Sequence, residues 1–137
     1  MTIQEFADRY KLKIRRDGCG DPLIRGNRKA SDMPPRPEYF NHIYDHGDGQ
    51  HLGVCLLAGR ALKAAWDRKA MVAAGFVLRQ KAHSESTALF DPANRAQARL
   101  AIKLVGAHKK RKVAPPTLAQ KAARERFSVG RKASVLV

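Results

Sequence analysis

The stretch YFNHIYDHGDGQHLGVCLL, Tyr39 to Leu57, holds two strand-like runs on either side of Asp48-Gly49. Asp-Gly flanked by such runs signals a type I′ hairpin turn, because both central residues must accept positive φ. Folding about that pair sets His46 opposite His51, Tyr44 opposite Gly53, Ile43 opposite Val54, and His42 opposite Cys55. Strand side chains alternate between faces, so Ile43, Leu52, Val54 and Leu56 share one face. That is the expected core face. His42, Tyr44, His46, His51 and Cys55 share the other.

Upstream of the hairpin, Thr2 and Glu5 form a capping box that starts a short helix running to about Tyr10. Its apolar face is Ile3, Phe6 and Tyr10. Lys11-Leu-Lys-Ile-Arg-Arg16 alternates with period two and predicts a half-buried strand. Asp17 to Pro22 is a turn, and Leu23-Ile24 a short returning strand. The DGCGD run lacks the Gly-Lys-Ser/Thr and the following helix of a phosphate loop, so it is read as a tight turn. Arg25 to Pro37, with Arg25, Arg28, Lys29 and Arg36, is read as a cationic loop that either touches phosphates or is simply solvated.

Downstream, Arg60 to Ala74 predicts a helix closed by Gly75, with Leu62, Ala65, Trp66, Ala70 and Ala73 as its buried stripe. Phe76 to Lys81 reads as a strand, His83 to Ser86 as a turn, and Thr87 to Phe90 as a short strand. A third helix follows, with Asp91 as N-cap, Pro92 at the first helical position and Gly106 as the stop. Ala93, Ala96, Leu100 and Leu104 form its expected apolar stripe. The order of elements predicts an α+β fold: a small antiparallel sheet built from hairpins, with helices packed on one face and a basic C-terminal helix and tail. A winged-helix variant would instead make 60–74 a recognition helix and 76–90 its wing.

The charge is large and uneven. The chain carries 27 basic and 12 acidic residues, a formal +15, and residues 106–137 contribute +8 of it with nine basic residues against Glu125. Such a tail points to nucleic acid. It has too few apolar residues for a membrane-lying helix, and the longest apolar run, Ala70 to Leu78, is too short to span a bilayer. Two cysteines, Cys19 and Cys55, do not make a disulfide framework, and MTIQEFADRY has no hydrophobic leader segment. A cytoplasmic protein with reduced thiols is expected. The organisation expected is one domain over 1–106, then a linker at Val113-Ala-Pro-Pro116, a short helix from Thr117 to about Phe127, and a frayed end, all within 107–137.

The candidate site follows from that charge. On the third helix Arg95, Arg99 and Lys103 recur at i, i+4, i+8, and like charges so spaced repel unless a partner anion offsets them. Lys109, Lys110, Arg111 and Lys112 continue the rail, and Lys121, Arg124 and Arg126 follow in the tail. These ten cations are the expected nucleic-acid contacts. Aromatic residues do not interleave with them, so phosphate binding with weak sequence preference is expected.

The runs HIYDHGDGQHLGV, AAGF and ALFDPANRAQARLAIKLVGAHKKRK resemble small basic proteins of phage and prophage genomes that carry no described activity. The resemblance covers about residues 10–112. It implies a bacteriophage or mobile-element setting, hence DNA ahead of RNA, with the host cytoplasm or nucleoid as location. It implies no catalytic residues.

Other readings compete with this one. The tail can make the chain a component of a ribonucleoprotein or nucleoprotein assembly, ordering only against its partner. The hairpin residues His42, His46 and His51, with Asp45, Asp48 and Cys55, are of the types that ligate zinc or support a metal-dependent nuclease. Their spacing matches no zinc motif, and the leading expectation is a non-catalytic protein with neither metal nor cofactor. The Ala-rich helices can also bind another protein as an inhibitor or adaptor.

Overall fold

The computed structural model describes residues 1–29, 32–82 and 84–110. The elements are α1 (Ile3–Tyr10), β1 (Arg15–Arg16), β2 (Pro22–Lys29), β3 (Phe40–Asp45), β4 (Leu52–Leu57), α2 (Ala61–Ala73), β5 (Val77–Lys81), β6 (Glu85–Phe90) and α3 (Arg95–Val105). The six strands form one antiparallel sheet in the order β1-β2-β3-β4-β6-β5. It is the expected α+β architecture. The β5–β6 pair is not a wing, because β6 bonds to β4 along its whole length.

The hairpin keeps the register read from the sequence: His42 faces Cys55, Ile43 faces Val54, and Tyr44 faces Gly53. Its turn differs. Pairing stops at Asp45–Leu52, and the connection is six residues long rather than two. Two aspartates fold it locally. Asp45 Oδ1 accepts from Gly47 N at 2.8 Å, and Asp48 Oδ1 accepts from Gln50 N and His51 N at 2.8 and 2.7 Å. These short side-chain bonds compete with ladder pairing and win at the exposed tip.

Ile24, Ile43, Leu52, Val54, Leu56, Ala88 and Phe90 line the inner face, and α1, α2 and α3 cover it. Phe90 lies edge-on to Phe6 of α1 with centroids 5.7 Å apart and stacks on Phe76 at 5.4 Å. The N-cap of α1 is as expected, with Thr2 accepting from Glu5 N. Two strand boundaries move. β2 runs on to Lys29, so Arg25, Arg28 and Lys29 belong to a strand and not to a loop. Of Lys11–Arg16 only Arg15–Arg16 pairs with β2; Leu12 is fully buried but bridges Lys109 instead. In the β5–β6 hairpin, β6 begins at Glu85 rather than Thr87.

Both long helices are rotated from their expected faces. α2 buries Ala64, Asp67 and Met71, and leaves Leu62 and Trp66 55% and 58% exposed. Alanine on every side gives that helix no decisive stripe, so polar anchors set its rotation. Arg68 donates to Ser86 Oγ at 3.1 Å and to Ala82 O at 3.2 Å, while Lys63 holds the buried Asp67 at 3.0–3.1 Å. α3 buries Gln97, Ala98, Ala101 and Val105, not Ala93 and Ala96, which are exposed, with Leu100 and Leu104 at its margins.

The N-cap of α3 is Asn94, three residues past the expected Asp91. Asp91 Oδ1 accepts from Ala93 N, which folds Asp91–Asn94 into a turn, and Asn94 Oδ1 accepts from Gln97 N. The Gln97 amide bonds to Asp91 N at 2.7 Å and to Ala74 O at 3.1 Å, tying both helices together. A buried glutamine with both ends satisfied is as much an anchor as an apolar residue.

Candidate nucleic-acid interface

The C-terminal end of α3 organises the basic corner. Gly106 adopts φ +67°, and the Ile102 carbonyl accepts from both Gly106 N and Ala107 N. That reversal satisfies the last helical carbonyls and sends the chain back as an extended run. His108 N donates to Arg25 O at 3.2 Å, Lys13 N to His108 O at 2.8 Å, and Lys110 N to Lys11 O at 2.8 Å. The run fits because β2 is bulged past Arg25 and has glycine at 26, where a Cβ would strike the Val105 carbonyl.

The result joins cations from both ends of the described chain. Arg95, Arg99 and Lys103 are exposed on the outer face of α3, opposite Ala98 and Ala101, along roughly 12 Å of helix. Lys109 and Lys110 continue past the helix end, beside Lys11 and Lys13. Arg99, Lys103 and Lys109 line a cleft of ≈ 470 Å³ whose wall includes Tyr10 and Ile102. Among the described residues the only ion pair here is Lys110–Asp8 at 3.7 Å, with both side chains more than half exposed. Such a pair contributes little.

His108 reports the local field. Its pKa is pushed below the ordinary histidine value, first by partial burial and then by Arg25, Arg15 and Lys13. Arg25 itself sits over the Phe40 ring, its guanidinium carbon 3.7 Å from the centroid. Arg95, Arg99, Lys103, Lys109 and Lys110 were legible as candidates in the sequence. Arg25 was legible only as part of a cationic loop, and Lys11, Lys13 and His108 not at all, because it is the backbone bonding of 107–110 to Lys11, Lys13 and Arg25 that brings them together. The alternation Lys11-Leu12-Lys13 was the one signal, and it spoke for exposure, not for a neighbour. Arg111, Lys112, Lys121, Arg124 and Arg126, and the expected helix 117–127, lie outside the described residues.

The hairpin histidines fall elsewhere. The outer sheet face carries a larger cavity of ≈ 650 Å³, walled by Asp17, Asp21, Glu38 and Asp45 with His42, Tyr44, Cys55 and Thr87. Its carboxylates make it the wrong sign for a polyanion. His42 Nδ1 bonds to Phe40 O at 2.7 Å, and burial above all lowers its pKa against the pull of that bond and of Glu38, Asp17 and Glu85. Burial, then Glu85, pushes the Cys55 thiol up to about 12. Asp48 accepts from the His51 backbone N–H, pairs with the His51 ring at 2.7 Å and accepts from Gln50 N–H, and these bonds in that order keep its carboxyl well below the usual range. Among the described residues, no group of three or more His, Cys, Asp and Glu side chains is placed to hold a metal ion, and no helix is long and apolar enough to cross a membrane.

No protein-family model, no curated protein and no solved structure matches this chain.

Proposed function

We propose that this protein is a non-catalytic nucleic-acid binder that grips phosphates with the outer face of α3 and the basic corner beyond it. DNA ranks ahead of RNA on the resemblance to phage proteins. The observation that carries the reading is the meeting of Arg99, Lys103 and Lys109 in one cleft, alongside Lys11, Lys13 and Lys110, with Asp8 the one carboxylate paired there among the described residues. Like charges gathered without counter-charge cost folding energy. A bound polyanion repays that cost. The cations are spread along a helix and its extension rather than converging on a base-edge geometry, so the binding is electrostatic and weakly sequence-selective.

The test is a salt titration of the full chain on duplex DNA, single-stranded DNA and structured RNA. Five contacts from Arg95, Arg99, Lys103, Lys109 and Lys110 give a log–log slope of about −4.5 on duplex, steeper if the tail adds contacts. A slope near zero would sink the proposal. Heparin competing as well as every nucleic acid would reduce it to a generic polyanion binder.

A further inference from the structure

The outer face of α2 is apolar and open to water. Leu62, Ala65, Trp66, Lys69, Val72 and Ala73 fall within one third of the helix circumference by their spacing, and all six are exposed. Leu62, Trp66 and Val72 are three of the four large hydrophobics left exposed among the described residues, at 55%, 58% and 55%. Isolated exposed apolar residues are ordinary. Three large ones on one helix face, with Ala65 and Ala73 among them and a buried aspartate on the opposite face, are of the kind that marks an interaction site.

Charge selects the occupant. From Gly49 to Ser84 the only acidic residue is Asp67, while Arg60, Lys63, Arg68, Lys69, Arg79 and Lys81 are basic. Asp67 is buried and held by Lys63, so on α2 and its N-cap no exposed carboxylate offsets the exposed Arg60 and Lys69. A second copy would bring the same cations against them. The chain's own residues 111–137 carry seven cations and one carboxylate, and are mismatched too. Single-stranded nucleic acid would match the charge but leave Leu62 and Val72 facing phosphate and sugar, with Trp66 as the only aromatic surface of α2.

We infer that α2 is the docking face for an acidic amphipathic helix of a partner protein, which lays apolar side chains on Leu62, Trp66 and Val72 and carboxylates on Lys69 between them and on Arg60 at the helix start. The pairing is helix on helix, with apolar anchors for affinity and charge for partner choice. The site is separate from α3 and does not depend on the nucleic-acid reading.

Trp66 is the only tryptophan, so its emission reports the site directly. The probe is a synthetic helix of roughly 16 residues with leucines on one face and glutamates beside them, titrated into the full chain. The expected result is a saturable blue shift of Trp66, absent with a scrambled peptide of the same composition. Leu62→Ser and Lys69→Glu should each weaken it about tenfold. Replacing Arg95, Arg99 and Lys103 by glutamate should leave it unchanged, which separates this site from the proposed nucleic-acid face. No shift, an equal shift with the scrambled peptide, or unaltered binding by Leu62→Ser would overturn the proposal. So would a shift produced by oligo(dT), or by phosphatidylglycerol vesicles, but not by the peptide.

Discussion

The two thiols show how far a residue's chemistry depends on where the fold puts it. Cys19 sits exposed at the tip of a turn, with its N–H given to Asp17. Cys55 lies in the middle of β4, with Glu85 accepting from its Sγ at 3.7 Å and burial keeping it protonated. Only a thiolate alkylates quickly. Iodoacetamide at pH ~8 should therefore label Cys19 in the folded protein and spare Cys55 until the protein is unfolded. Mass spectrometry of the two peptides checks this, and equal labelling would contradict the half-buried, protonated state of Cys55. His108 supplies a second residue-scale test. Its pKa is lowered in the free protein, partly by Arg25, Arg15 and Lys13. A phosphate chain beside those cations offsets them and raises it. A group whose pKa rises on binding takes up a proton, so binding strengthens as pH falls through the histidine range and weakens as pH rises. Affinity for duplex DNA should increase about threefold or more from pH ~7.5 to ~5.5, and His108→Gln should flatten that dependence.

At the scale of elements, the hairpin and α1 were legible and the rotations of α2 and α3 were not. β3 and β4 have one apolar and one polar face, so only one register buries Ile43, Val54 and Leu56 together. α1 has a cap that appears as read, and a narrow apolar face that buries Ile3 and Phe6 as read, with Ala7 added and Tyr10 half-buried. In α2 and α3, alanine occurs on nearly every side, and several faces compete at similar cost. The choice fell to Arg68 with Ser86 and to Gln97 with Asp91 and Ala74, partners that are distant in sequence. The rotation can be measured by stability. Met71 is fully buried, and Met71→Ala should cost about 2–5 kcal/mol. Trp66→Ala should change stability by no more than about 0.5 kcal/mol, since that ring is mostly in water. Urea denaturation followed by circular dichroism gives both values, and a large loss for Trp66→Ala would mean that α2 presents its other face to the sheet.

Across the described residues of the molecule, carboxylates and cations gather in two different places. The ≈ 650 Å³ cavity on the outer sheet face collects carboxylates, while α3, its extension and the 11–13 segment collect cations. The fold class was legible because hairpin-forming runs and capped helices alternate along the chain. The cationic rail on α3 was legible from its spacing. The corner that completes it was not, because main-chain pairing between residues about 100 positions apart leaves no local pattern. Under the proposed function, affinity for nucleic acid resides on the α3 face and is not simply a consequence of the +15 net charge. The direct measurement compares two full-length variants of equal net charge on duplex DNA at near-physiological salt. One carries glutamate at Arg95, Arg99 and Lys103, the other at Arg60, Arg79 and Lys81. The α3 variant should lose about 100-fold in affinity or more, and the other less than about fivefold, because charges beyond a Debye length are screened. Equal losses in the two variants would contradict the claim and make the protein a polyelectrolyte with no binding face.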